Sequence, residues 1–405
     1  MDIELQVATL MQGAEYGDKS LKQAMTNELR ERLILAEKEG RNLKVYCGYD
    51  PTKPDLHLGH TVTMRKLRQF QDLGHEVIFL IGNFTSLVGD PSDKDKLRPI
   101  LTPEQVEENA QTYTEQAFRV LIKDKTTVLY NAEWLSKLTF ADLINLASNF
   151  TLQQFITRDN FRKRWDNGDP VFLHETFYAI MQAYDAYHMK ADVQVGGTDQ
   201  LFNIVTAGRK LMTALGEKPN IGITMSILPG TDGEIRMSKS MGNHIPISTD
   251  GKDMYGKIMS LPDTAMPIYA KLCTRWTSDE VAQFEKEISS ESIHPRDAKM
   301  KLALEIVSVF YPEVEAIAGQ EAFVSQFQKG KVPDDMPEFK LEGEKTILDI
   351  LVDTELVSSR SDGRRMLKQK AVKLDGEVLP EDPFVEFIGE GVLQVGKRRF
   401  VKIVK

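Results

Sequence analysis

The sequence reads as an α/β chain: a doubly wound parallel sheet over residues 1–245, an all-helical domain over 246–330, a linker at 331–343 and a small α+β domain at 344–405. Three observations lead there. Strand-like and helical runs alternate through the first part. Helical periodicity then continues with no convincing strand. Short strands return only after a stretch rich in Pro and charge.

Taken in order, "LKVYCGYD" (43–50) alternates and is rich in β-formers, and "HTVTMRKLRQFQDLG" places Met64, Leu67, Phe70 and Leu73 at helical offsets with Gly74 as the stop. "HEVIFLIGNF" is a short apolar run suited to a strand covered on both faces. Strand, loop, helix and strand in about 40 residues make a βαβ unit. "KTTVLYN" and "ADVQVGG" are further strands, the second leading into a single helix "DQLFNIVTAGRKLMTAL". "MYGKIMSL", "SDEVAQFEKEI" and "RDAKMKLALEIVSVFY" are helical, and "KGKVPDDMPEFKLEGEK" is linker-like. The tail reads as helices "ILDILVDT" and "SRSDGRRMLKQ", a strand-turn "AVKLDGEVL" and one strand "GVLQVGKRRFVKIV".

Composition narrows the class. Hydrophobic content of 41% with 27% charged residues is that of a globular chain, and no run approaches the length of a membrane helix. The opening "MDIELQVATLMQGAEYGDKSLKQ" lacks a basic start followed by an apolar run, so a cytoplasmic location is expected. Two distant cysteines, Cys47 and Cys273, offer neither a disulfide framework nor a zinc knuckle. A net charge of −9 argues against wholesale coating of nucleic acid but leaves room for local basic surfaces.

In "PDLHLGHTV", His57 and His60 share one face of a first helical turn, beside backbone N–H groups with no intrahelical partner. That is a place for an anion, and Gly59 leaves room for it to approach the backbone. A metal reading needs further ligands that no His/Cys cluster supplies, so no protein-held metal is expected. Downstream, "EIRMSKSMGN" sets Arg236 and Lys239 in a polar loop suited to gripping a polyphosphate. In "HETFYAIMQAYDAYHM", Tyr178, Gln182 and Asp185 fall on one stripe of an apolar helix, where a Gln and an Asp are costly unless they face a polar partner; Tyr46 could converge on the same pocket.

HLGH near the start of a βαβ unit and RMSKS about 175 residues later resemble the HIGH and KMSKS signatures of class I aminoacyl-tRNA synthetases, whose catalytic domain is Rossmann-like. With "YCGYDPTKPDLHLGH", "GDPSDKDKLR", "YAIMQAYD" and "GGTDQ" in the same order, the resemblance narrows to the bacterial tyrosyl branch and covers essentially the whole chain. The resemblance implies that Tyr46 and Asp185 bind a tyrosine hydroxyl and that Asp90, Tyr178 and Gln182 bind its ammonium, with Gln200 near its carboxylate. It places Asp50, Thr52, His57, Gly59, His60, Gly197, Asp199, Arg236 and Lys239 around ATP, with Mg²⁺ accompanying the nucleotide. Lys94 and Arg98 match positions that contact the departing pyrophosphate together with Lys239. One departure is Arg236, where the family motif usually begins with lysine.

The tail resembles a small RNA-binding fold named after a ribosomal small-subunit protein, with Arg364, Arg365 and Lys368 on its basic helix. By the same similarity, the basic stretch "TRDNFRKRW" (Arg158, Arg162, Lys163, Arg164) lies near the acceptor stem of tRNA(Tyr), and the helical domain meets the anticodon arm. The family is homodimeric through an inserted segment at about 130–180. Three rival readings are an adenylate-forming ligase or nucleotidyltransferase, which has no reason to carry an RNA-binding tail; the tryptophanyl cousin, which the Tyr178/Gln182/Asp185 stripe and the tail disfavour; and a catalytically idle RNA-binding relative, which would be expected to lose His57, His60 or Lys239, all present here.

Overall fold

The computed structural model describes residues 2–404 apart from 53, 93–101, 328–335, 342, 344, 388, 397 and 398, and only the backbone of Pro103 and Asp159. It forms two compact units, Met1–Ile317 and Ala318–Lys405. Among the described residues no helix is long and apolar enough to cross a membrane.

The first unit is built on five parallel strands: β1 (Lys44–Tyr49), β2 (Glu76–Ile81), β3 (Thr126–Tyr130), β4 (Val193–Gly197) and β5 (Ile221–Met225). Their order is β3-β2-β1-β4-β5. Tyr46 of β1 lies opposite Ile78 of β2 on one side and Gln194 of β4 on the other. The order reverses between β1 and β4, which opens a crevice at their carboxyl ends, the usual ligand position in a doubly wound sheet. The helix Leu58–Asp72 crosses from β1 to β2 and buries Leu58, Val62, Met64, Leu67 and Phe70, an i, i+3, i+4 stripe that follows the expected pattern.

Two local features depart from the sequence reading. The expected strands do not include β5, because Gly222 interrupts a five-residue run; a Cβ there would meet Ile204 and Val205 at 2.8 Å, so the residue that weakens the strand signal also permits the packing. The single helix expected over 199–215 is three segments: a 3₁₀ turn Thr198–Gln200, a π-helix Phe202–Gly208 and an α-helix Arg209–Ala214. The widened turns bring Asn203 into hydrogen bond with Gln200 at the crevice.

After β5 come the helices Gly251–Met259, Met266–Cys273, Ser278–Ser289 and Pro295–Phe310, with no strand among the described residues between them. They dock on the sheet domain through Gln12 Nε2 donating to Trp276 O (3.1 Å), Arg119 Nη1 to Ile247 O (2.7 Å) and Arg65 to Thr274 O. The helix Glu313–Phe327 runs across the division between the units.

The second unit has a sheet of β6 (Glu338–Lys340), β7 (Val372–Leu374), β8 (Glu377–Val378), β9 (Gly391–Val395) and β10 (Arg399–Val404), in the order β6-β10-β9-β7-β8. Ile350 and Leu351 of the helix Ile347–Asp353 and Leu367 of the helix Arg360–Lys368 pack with Val372, Leu393, Val401 and Ile403 into its core. The single strand expected over 391–404 is a hairpin, since Gly396 takes φ +67° and reverses the chain into antiparallel pairing. Within the expected linker, β6 pairs in parallel with β10.

Candidate active site

A cavity of about 540 Å³ occupies the crevice at the carboxyl ends of β1 and β4. At its closed end stand Tyr46, fully buried, and Asp185, 2% exposed. Asp185 comes from the helix Leu173–Met189, whose polar stripe points inward. One of its oxygens accepts from Trp134 Nε1 at 2.7 Å and the other from Asn131 Nδ2 at 3.1 Å. Burial pushes the carboxyl up to about 7, against the pull of the Asn131 and Trp134 hydrogen bonds. Burial, and then the charge of Asp185, raise the Tyr46 phenol well above its ordinary value. Tyr46 Oη and Gln182 Oε1 are buried with no hydrogen-bond partner among the described residues. A closed end with one carboxylate and unsatisfied polar atoms fits a ligand that is apolar in its body and carries a hydroxyl at its tip.

Midway along the cavity, Tyr178 donates to Asp50 Oδ2 (2.9 Å), and Thr85 Oγ1 donates to Asp50 Oδ1 (2.8 Å). Gln200 Nε2 donates to Asp90 Oδ2 at 2.5 Å. At the mouth, His57 and His60 open the Leu58–Asp72 helix with their rings 3.9 Å apart. The backbone N–H of His57 donates to Nδ1 of His60 at 3.2 Å. Burial, and then the nearby Arg236 charge, lower His60 to about 4, so at neutral pH it is uncharged. With Nδ1 accepting, its proton sits on Nε2, and the ring is a fixed donor rather than a proton shuttle.

The second motif is stitched to the first. Leu58 N donates to Ile245 O (2.9 Å) and Ile247 N to Leu56 O (3.2 Å). Asn243 holds the loop's shape: its Oδ1 accepts from Ser238 N (2.8 Å), while its Nδ2 donates to Asp232 Oδ2 (2.6 Å) and Arg236 O (3.2 Å). Lys239 pairs with Asp55, and Arg236 Nη1 lies 3.5 Å from Asp199 Oδ2; the Arg236 and Lys239 side chains are 47% and 43% exposed.

The cavity therefore gathers Tyr46, Asp50, Thr52, His57, Gly59, His60, Asp90, Tyr178, Gln182, Asp185, Gly197, Asp199, Gln200, Arg236 and Lys239. Lys94 and Arg98 fall outside the described residues. The basic stretch needs correction. Arg162 and Lys163 are exposed, but Arg158 and Arg164 are 6% and 5% exposed and cannot present guanidinium groups to an RNA backbone. Arg164 is neutralised internally by Glu175 at 2.8 Å. In the second unit Arg364, Arg365 and Lys368 are exposed on one helix. The sequence reading missed Asn131, Trp134 and Thr85, which lie in no local pattern that marks a site, and Asp55 and Asn243, which lie inside the two motif stretches but were given no role there.

A doubly wound sheet whose His-Leu-Gly-His turn is tied by backbone bonds to a Lys-bearing loop defines the class: the family model described as "tRNA synthetases class I (W and Y)" matches residues 38–328. A second, described as "Tyrosine--tRNA ligase SYY-like C-terminal domain", matches residues 326–383. Tyrosine--tRNA ligase 2 of Vibrio cholerae is 48% identical, covering 92% of this chain and 94% of its own. The Thermotoga maritima tyrosine--tRNA ligase is 45% identical, covering 95% and 96%. This chain belongs to the tyrosine–tRNA ligase family. Among solved structures, a C-terminally truncated mitochondrial tyrosyl-tRNA synthetase from Aspergillus nidulans shares the fold at a TM-score of 0.62 and 23% identity, covering 79% of this chain and 96% of that one. The tyrosyl-tRNA synthetase of Archaeoglobus fulgidus, solved with L-tyrosine, gives 0.61 at 22% identity, with coverage of 79% and 100%.

Proposed function

We propose that this chain activates L-tyrosine with ATP to tyrosyl-adenylate and pyrophosphate, then transfers tyrosine to the 3′ end of tRNA(Tyr). The observation that carries the proposal is the placement of Asp185, held by two donors, at the closed end of a cavity whose mouth joins the two motifs.

Tyrosine enters phenol first. Its hydroxyl meets Asp185 and Tyr46, its ammonium lies among Asp90, Tyr178 and Gln182, and its carboxylate faces Gln200. ATP lies along Asp50, Thr52, Gly59, Gly197 and Asp199. A carboxylate oxygen of tyrosine attacks the α-phosphorus, the bond from that phosphorus to the bridging oxygen breaks, and pyrophosphate leaves with the electron pair. In the second step a ribose hydroxyl of the tRNA attacks the carbonyl carbon, the bond from that carbon to the phosphate oxygen breaks, and AMP departs with the electron pair while the hydroxyl proton passes to its phosphate or to solvent. Neither step needs a protein nucleophile; the protein aligns reactants and stabilises charge building on phosphate. His57 and His60 serve as fixed donors, and Arg236, Lys239, Lys94 and Arg98 serve as cations. Mg²⁺ would accompany ATP and offset charge on its phosphates.

The enzyme works as a cytoplasmic homodimer. Support for the dimer is the apolar surface of the inserted segment, where Phe140, Ile144, Leu152, Trp165 and Leu173 are all more than half exposed. The tRNA runs over Arg162 and Lys163 and over the helix bearing Arg364, Arg365 and Lys368. Pyrophosphate exchange, run with each amino acid in turn and no tRNA, tests the activation step: tyrosine alone should support exchange, and its failure to do so refutes the proposal.

A further inference from the structure

Arg158 was expected to face RNA, and its burial raises the question of what a guanidinium does inside. It precedes the helix Asp159–Asn167, and its guanidinium carbon lies 5.0 Å from the ring centres of both Phe161 and Phe202. Burial is the main influence on its charge and weakens it; the Asp90 carboxylate acts in the other direction. Among the described residues its neighbours are two phenyl rings and one hydroxyl.

Its polar contact leads straight to the substrate cavity. Arg158 Nη2 donates to Ser92 Oγ at 2.6 Å, and Asn160 Nδ2 donates to Pro91 O, so the start of this helix grips two consecutive residues after Asp90. Ser92 belongs to a closed ring of hydrogen bonds. Its N–H donates to Asp90 Oδ1 (2.9 Å), and Gln200 Nε2 donates to Asp90 Oδ2 (2.5 Å). Asn203 Nδ2 donates to both Gln200 Oε1 (2.9 Å) and Ser92 Oγ (3.3 Å). Each oxygen of Asp90 thus carries one fixed donor, and the lone pairs that remain are aimed by the ring.

We propose that Arg158 is a positioning residue for the amino group of the substrate: it clamps the Pro91–Ser92 turn and through it aims the Asp90 carboxylate at the incoming ammonium. The proposal rests on the reading of Asp90 as an ammonium ligand. A planar cation suits the task. It fills the slot between two phenyl rings and directs one N–H at Ser92, which a lysine's ammonium on a flexible stem cannot do together.

The test compares two ligands that differ only in the ammonium: L-tyrosine and 3-(4-hydroxyphenyl)propanoate, which lacks it. Arg158→Met should weaken L-tyrosine about tenfold, the scale of losing one charged hydrogen bond, and leave the propanoate within about twofold. In pyrophosphate exchange KM for tyrosine should rise while KM for ATP stays put, and Arg158→Lys should recover part of the loss. Equal weakening of both ligands, or no change in either, overturns the assignment. So does a rise confined to the KM for tRNA, which would return Arg158 to an RNA contact. Should Arg158→Met not fold, Ser92→Ala keeps the ring sandwich and loses only the hydroxyl; it should weaken L-tyrosine selectively by about threefold, and the lack of any selective loss overturns the proposal. Asp90→Asn separates the two ideas. If it too weakens both ligands alike, the reading of Asp90 fails; if it weakens L-tyrosine alone while the Arg158 and Ser92 variants do not, only the positioning role fails.

Discussion

The two ends of the cavity are built on opposite terms. At the closed end Asp185 is buried and held in place by Trp134 and Asn131, and Tyr46 is fully enclosed. At the mouth Arg236 and Lys239 are nearly half exposed, and each rests against a carboxylate of the chain itself. The desolvation cost at the closed end is met during folding, which suits selection among amino acids: a ligand that leaves the buried groups unpaired is rejected. The mouth holds cations on exchangeable partners, which suits charge that exists only briefly on a leaving pyrophosphate.

If that division holds, the variants separate cleanly. Lys239→Ala should slow adenylate formation by about 10²- to 10³-fold, as for loss of one donor to a developing charge, and leave tyrosine affinity within about twofold. Single-turnover kinetics with equilibrium tyrosine binding measure both, and equal losses would break the division. Asp185→Asn should do the converse. Its amide turns an N–H toward one of the two donors, Trp134 or Asn131, so kcat/KM for tyrosine should fall about a hundredfold while the trace activity with phenylalanine changes little.

How much of this was legible in the sequence follows the same line. The residues of the mouth sit in short contiguous motifs, and the stripe Tyr178, Gln182, Asp185 follows helical spacing, so both could be found by reading along the chain. The partners that give those residues their properties could not. Trp134 and Asn131 stand 51 and 54 residues from Asp185, and nothing near them in sequence marks them as donors. Arg158 and Arg164 read as a charged surface because what buries them, Phe202 and Glu175, comes from other elements. The strands were legible where apolar runs were unbroken and failed at Gly222 and Gly396, where a missing Cβ is demanded by packing or by backbone angle.

The pH response should also differ between the ends. Burial pushes the Asp185 carboxyl up to about 7, and its ionised form is the stronger acceptor for a phenol. At pH 6 the ionised fraction falls to about one in eleven, so KM for tyrosine should rise by up to about tenfold from pH 8 to pH 6, with the Asp185→Asn variant flat. Stability of the free enzyme should move the other way. Between about pH 4 and 7 the native protein binds a proton at Asp185 that the unfolded chain, with its carboxyl near 3.8, does not. The destabilisation from this carboxylate is therefore present above pH 7 and relieved on acidification. Tyrosine titrations and denaturant unfolding at the two pH values should give opposite trends.

The smallest effect concerns the resting partner of Lys239. Asp55 and Lys239 are each 43% exposed, and an exposed ion pair contributes about 0 to 1 kcal/mol. Phosphate must displace that contact, so the pair opposes ATP by at most that amount. Asp55→Asn should therefore lower KM for ATP by no more than about fivefold, leave kcat unchanged, and lessen the dependence of KM on ionic strength. A loss of kcat would assign Asp55 a part in catalysis instead of a resting contact, and the mouth would then be as rigidly built as the closed end.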